Sequence, residues 1–257
     1  MSNIDLYEAY KRVIATTKDE IICWWYSGVI SAQLDDGLDI QCTGCQTLMA
    51  FKVQHLSPTS MRIDWLETCL LRDLETGELN EYYNNPLTGQ RAKLASTFYD
   101  GPVTYFVSKN GDGVDLRIEQ HEAEILSTSI TATVADGRIL FRQREEKRRS
   151  FGQQSGGGAK EAGVHLQTEL LFAADLAEAT NPANDNVAST GYYSAGVAGM
   201  ISKWMDFGQR GGNSMVKGVT HKARADEMVV PKAWAVFRER FPDFFDGDRV
   251  SPKEWRG

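Results

Sequence analysis

Arg72-Asp73-Leu74-Glu75-Thr76-Gly77-Glu78 and, a few residues on, Asn84-Asn85-Pro86-Leu87-Thr88-Gly89-Gln90 decide the fold class of this chain. Each segment carries a Thr-Gly-polar turn signature, the two lying about a dozen residues apart. Gly77 and Gly89 accept the positive φ that tight reversals need, and Pro86 presets φ for a turn. Strand-like sequence stands before, between and after them. The stretch therefore reads as a strand, turn, strand, turn, strand meander, which predicts antiparallel β structure.

The pattern extends outward from there. The aromatic and β-branched run 22–30 is a strand closed by Asp35-Asp36-Gly37. Further strands are expected over 47–55, 61–72, 79–84, 90–98, 102–108, 114–118, 121–134 and 138–145. Three more are expected near 164–173, 192–206 and 214–221. Helical spacing occurs only near the two ends, from Ile4 to Thr17 and from Pro231 to Phe241. Strands at this spacing without intervening helices predict a barrel or a sandwich, and not a βαβ fold. Their number favours a mainly antiparallel β-barrel, lipocalin-like in the loose sense, around a ligand cavity. One domain over 1–257 is expected, with long loops at about 148–163 and 180–190 that cover its mouth.

Composition narrows the partners. A formal charge of −7 argues against nucleic acid as the main partner. No apolar run reaches the ~20 residues that span a bilayer, and no basic-then-apolar leader is evident, so a cytoplasmic protein without a membrane partner is expected. Cys42-Thr43-Gly44-Cys45 has the spacing of a zinc knuckle or redox pair, but Cys23, Cys69 and His55 stand isolated and offer no second ligand pair. Free thiols in a turn, and no metal, are the expectation. The glycines at 156–158 lack the Lys-Ser/Thr of a phosphate loop, and no nucleophile elbow or His-x-x-x-His pair is present. No cofactor is expected.

Several pieces recur together: Trp24-Trp25-Tyr26-Ser27-Gly28, the Arg72–Glu78 turn, Asn85-Pro86-Leu87-Thr88-Gly89, Gly101-Pro102-Val103, and Trp204-Met205-Asp206-Phe207-Gly208 with Gly211-Gly212 and Gly218. In this order, over roughly residues 20–230, the set resembles the domain of unknown function 1838 family. The resemblance implies a β-rich small-molecule protein and supplies no catalytic residue. The chain departs from the pattern at Tyr83-Asn84, where a tryptophan is expected before the Asn-Pro turn. It departs again at Thr68-Cys69-Leu70-Leu71, which replaces a tyrosine-bearing strand. Changes beside a cavity would alter ligand choice.

What remains is acid–base chemistry in an apolar interior. On the odd face of 63–71, Glu67 points with Trp65, and burial there would raise its pKa toward general-base values. On the odd face of 49–55, His55 follows Met49, Phe51 and Val53, while His121 opens a strand with a polar row. Arg142 shares a strand face with Arg138 and Arg144, either as an anchor for a phenolate or as an exposed basic stripe. Glu67, His55, His121 and Arg142 are the catalytic candidates, each with a structural alternative. Trp24, Trp65, Tyr82, Tyr83, Tyr192 and Trp204 are the candidates for lining the cavity, although each also suits a plain core. The first functional reading is a cofactor-independent lyase or isomerase acting on a hydrophobic or phenolic small molecule, for example releasing formaldehyde from a lignin-type aromatic dimer. The alternative is a non-catalytic carrier with the same cavity. A homodimer stays open.

Overall fold

The computed structural model describes residues 4–94, 97–121, 123–149, 164–199, 201, 205–208 and 210–224. Helix α1 (Leu6–Ile14) leads into β1 (Ile21–Leu34), β2 (Asp39–Ser57) and β3 (Ser60–Arg72). A short hairpin of β4 (Tyr82–Asn84) and β5 (Arg91–Lys93) precedes β6 (Thr97–Asn110), β7 (Gly113–Gln120), β8 (Ala123–Ala135) and β9 (Arg138–Arg149). Then come β10 (Val164–Asp175), helix α2 (Leu176–Thr180), β11 (Ser189–Ala198) and β12 (Gly212–Arg224). Ten of these strands form one antiparallel sheet in the order β7-β6-β3-β2-β1-β12-β11-β10-β9-β8. The sheet curls into a nearly closed barrel. No ladder joins β7 to β8 among the described residues, and Thr128 Oγ1 bridges that seam by donating to the Leu116 carbonyl at 2.6 Å.

Alternation along each strand decides what lies inside. Trp24 pairs with Met49, Met49 with Glu67, and Phe51 with Trp65, so these side chains share the inner face. Ile139 and Phe141 on β9, and Leu170 and Phe172 on β10, face them from across the barrel and are buried.

Helix α1 closes one end. The Asp5 carboxylate accepts the Glu8 amide at 3.1 Å as its N-cap, and Tyr7, Tyr10, Val13 and Ile14 are buried on its inner stripe. The carbonyls that a helix leaves unpaired at its C-terminus are met by the barrel. Trp24 Nε1 donates to the Ile14 carbonyl at 3.0 Å, Ser189 Oγ to Val13 at 2.6 Å, and Lys222 Nζ to Ala15 at 3.0 Å and to Arg12. Burial pushes the Lys222 amine well below the usual lysine range. The segment between α2 and β11 packs on the same end, where Thr17 Oγ1 donates to Asp185 at 2.7 Å and Arg12 Nε to the Asn184 carbonyl at 2.8 Å.

The meander that announced the fold stands partly outside the barrel. Gly77 and Gly89 take φ of 69° and 70°, and β4–β5 is a separate two-stranded sheet. Asn85 is buried and fully engaged. Its Nδ2 donates to the carbonyls of Met205 at 2.6 Å and Asp206 at 2.8 Å, and its Oδ1 accepts the amides of Leu87 at 2.8 Å and Thr88 at 3.0 Å. One side chain thus ties the Asn-Pro-Leu-Thr-Gly turn to the Met205–Gly208 segment.

Several boundaries differ from expectation. Cys42 and Cys45 lie within β2 and not in a turn, with Cys42 the extra residue of a bulge opposite Ile30 and Ser31. All four cysteines are free, and no described group of His, Cys, Asp and Glu residues could hold a metal. Strand β11 ends at Ala198, well short of 206. The expected helix over 231–241 and the loop over 150–163 fall outside the described residues. No described helix is long and apolar enough to cross a membrane.

Candidate functional site

Inside the barrel, next to α1, lies a cavity of about 80 Å³. Trp24, Met49, Phe51, Trp65, Leu166, Leu170 and Phe172 make its walls largely apolar, and Ile14 of α1 touches it. Into this setting project Glu67, Tyr105, Gln143, Glu145, Lys147, Thr168 and Tyr193. Strand β9 supplies three of them at alternate positions, because the inner face that starts with Ile139 and Phe141 continues as Gln143, Glu145 and Lys147, all buried.

A buried carboxylate needs donors, and among the described residues Glu145 has two. Tyr105 donates its hydroxyl to Glu145 Oε1 at 2.6 Å, and Gln143 Nε2 donates to the same oxygen at 2.7 Å. The Gln143 carbonyl oxygen in turn accepts the Tyr10 hydroxyl at 2.9 Å, which fixes the amide orientation from both sides. Both bonds to Glu145 fall on Oε1, so Oε2 takes no part in this relay. Burial, reinforced by the Glu145 charge, drives the hydroxyls of Tyr105 and Tyr10 above the ordinary tyrosine range. They are proton donors in hydrogen bonds and do not ionise near neutrality. Lys147 Nζ donates to Gln120 Oε1 at 3.0 Å.

Trp65 adds a different feature. Its ring lies 6.2 Å from Phe51 and 5.8 Å from Tyr105, the latter edge-on, and the residue is 7% exposed. Its indole Nε1–H is buried without an acceptor among the described residues.

The anticipated residues divide sharply. Glu67, Trp24 and Trp65 line the cavity, as the alternation of β1 and β3 indicates. His55 shares their strand face but sits beyond the rim, where its amide donates to Asp19 Oδ1 at 2.7 Å and its Nε2 lies 3.1 Å from the Thr16 carbonyl. His121 is exposed in the turn between β7 and β8, since β8 begins only at Ala123. Arg142 points outward with Arg144, both on Glu169 Oε2 at 2.7 and 2.9 Å. It is the exposed basic stripe and not an anchor in the interior. Tyr82 is exposed under the Arg91 guanidinium, 3.9 Å from its ring. Tyr83 is buried against Cys42, away from the cavity lining. Tyr192 faces outward into a larger surface hollow of about 570 Å³ bordered by Arg144, Glu146 and Glu169. Trp204 lies outside the described residues.

Sequence reasoning missed Gln143, Glu145, Lys147 and Tyr105. No protein family, curated protein or solved structure matches this chain. The fold and the site together define a nearly closed antiparallel β-barrel with a polar cluster inside an apolar interior.

Proposed function

We propose that the chain is an enzyme performing acid–base chemistry on a small phenolic compound held in the barrel interior, as a lyase or isomerase. The observation that carries this reading is the convergence of Glu67, Glu145, Lys147 and Tyr105 on one otherwise apolar cavity. Lining so rich in titratable groups is costly to bury, and a site for mere apolar storage has no need of it. Glu145 Oε2 or Glu67 takes a proton from the substrate. Lys147 stabilises the oxygen or carbon that gains charge, and Tyr105 and Gln143 hold Glu145 in place.

In the lyase form, a carboxylate removes the proton of a hydroxymethyl O–H, whose electron pair becomes the second bond of formaldehyde. The carbon–carbon bond breaks, and its electrons remain on the carbon that bore the hydroxymethyl group until Lys147 returns a proton there. The cavity is smaller than the ~150 Å³ of an apolar cavity that takes benzene. One ring is therefore the most that enters, with displacement of the flexible Met49 side chain. A dimer places only one of its rings inside. The resemblance to the domain of unknown function 1838 family belongs with this proposal, since it too points to a small-molecule protein.

The carrier reading draws on the apolar wall from Trp24 to Phe172. Mass spectrometry of the protein incubated with hydroxymethyl phenols separates the two. Formaldehyde release that Glu145→Gln or Glu67→Gln, whichever removes the base, lowers by about two orders of magnitude is the expected outcome. Bound phenol recovered unchanged would overturn the enzyme in favour of the carrier.

A further inference from the structure

We infer that Trp65 Nε1–H is the donor that selects the ligand, by binding an uncharged oxygen on its ring. This rests on the reading of the interior as a ligand site and adds what that ligand must present. Of the buried side-chain polar atoms without a hydrogen-bond partner among the described residues, Trp65 Nε1 is the one whose residue lines the cavity, and a buried unpaired donor asks for an explanation. Here the residue bearing it is 7% exposed and lines the cavity. The neighbouring Tyr105 ring, 5.8 Å away between centroids, offers at best a π-face, a far weaker acceptor than a hydroxyl oxygen. The donors of Tyr105, Gln143, Lys147 and Trp24 in the same lining are already engaged, with Glu145, Glu145, Gln120 and the Ile14 carbonyl. An incoming oxygen therefore gains a bond to Trp65 without displacing a protein acceptor.

Charge sets the form of that oxygen. Glu67 and Glu145 face one Lys147 in the same lining, so a neutral phenol is accommodated where a phenolate is repelled. The phenol also has a proton to give, and the carboxylates are the acceptors at hand. The ligand class is thus a neutral, single-ring phenol whose oxygen accepts from Trp65 and donates to a carboxylate.

The test compares phenol with toluene, which has the same shape and no oxygen, on the full-length wild type and on Trp65→Phe. Calorimetry is expected to give the wild type a phenol-over-toluene preference that Trp65→Phe lowers by about two- to tenfold, while toluene still binds the variant. In the wild type, the indole N–H resonance of Trp65 is expected to shift downfield with phenol and to stay put with toluene. A preference unchanged in Trp65→Phe, or an indole resonance indifferent to phenol, would overturn the role of Trp65 and leave the ligand site standing. Failure of both ligands to bind the wild type would overturn this inference together with the ligand site.

Discussion

Replacing Asn85 by alanine removes four hydrogen bonds at once, but they are not equal. The amides of Leu87 and Thr88 lie in an exposed turn, so water replaces the lost acceptor there at little cost. The Met205 side is different, because Met205 is fully buried and its carbonyl, with that of Asp206, loses its donor. Two net hydrogen bonds at about 1 kcal/mol each, with a share of the desolvation penalty, give a loss of about 2–3 kcal/mol for Asn85→Ala. Asn85→Asp is the sharper test. Aspartate keeps the two turn bonds yet sets an oxygen against two carbonyls that now sit 2.6 and 2.8 Å from the amide nitrogen. It should therefore destabilise at least as much as alanine at neutral pH and recover in acid, where the carboxyl can donate. Urea unfolding of the three proteins at two pH values measures this. An aspartate variant close to wild type at neutral pH would refute the clamp and leave only a turn residue.

Other expectations follow from separate places in the barrel. A methyl group added at Gly28 would stand 2.1 Å from Tyr26 Oη and 2.3 Å from the Lys217 carbonyl, so Gly28→Ala should cost about 1–3 kcal/mol. Adding Tyr26→Phe should restore only part of that in thermal unfolding, since the backbone contact remains. Hydrogen bonds from Arg142 and Arg144 hold the Glu169 carboxyl below its ordinary value of 4.5. The pair's stabilisation is therefore complete above that value and lost as pH falls through the lowered one. Because all three side chains are well exposed, Glu169→Gln should cost less than about 1 kcal/mol at pH 7, and the difference from wild type should vanish in acid. Arg142→Ala should leave turnover unchanged, as Arg142 faces away from the interior. Ala195 of β11 also lines the cavity, so Ala195→Leu narrows it and should abolish phenol binding in calorimetry while circular dichroism stays native.

The faces of β2 and β3 were readable because apolar alternation is strong there, and it brought Glu67 to Trp65 correctly. The same alternation misplaced His55, since parity gives the side of a strand and not how far the strand runs past the rim. His121 was tied to a strand that starts two residues later, beyond a turn that no glycine or proline marks. Strand β9 concealed the polar cluster. From Arg142 onward both of its faces are polar, and a row such as Gln143, Glu145 and Lys147 reads as solvated unless parity is carried forward from Ile139 and Phe141. That carry-over was the available signal. Nothing in the sequence spacing indicates that Tyr105, Tyr10 and Glu145 meet, because they come from a helix and two strands brought together only by closure. The turns at Gly77 and Gly89 were legible for the opposite reason: their chemistry is local.

The seam between β7 and β8 is the one place in the described barrel wall where the backbone ladder is interrupted. Everywhere else around the wall, parting neighbouring strands breaks a run of backbone hydrogen bonds. At this joint the bonds among the described residues come from side chains, Thr128 to the Leu116 carbonyl and, from the next strand, Lys147 to Gln120. Like a split collar, the band is continuous all round and fastened differently at its gap. The wall's resistance to opening is then set by side chains at this joint and by the backbone elsewhere.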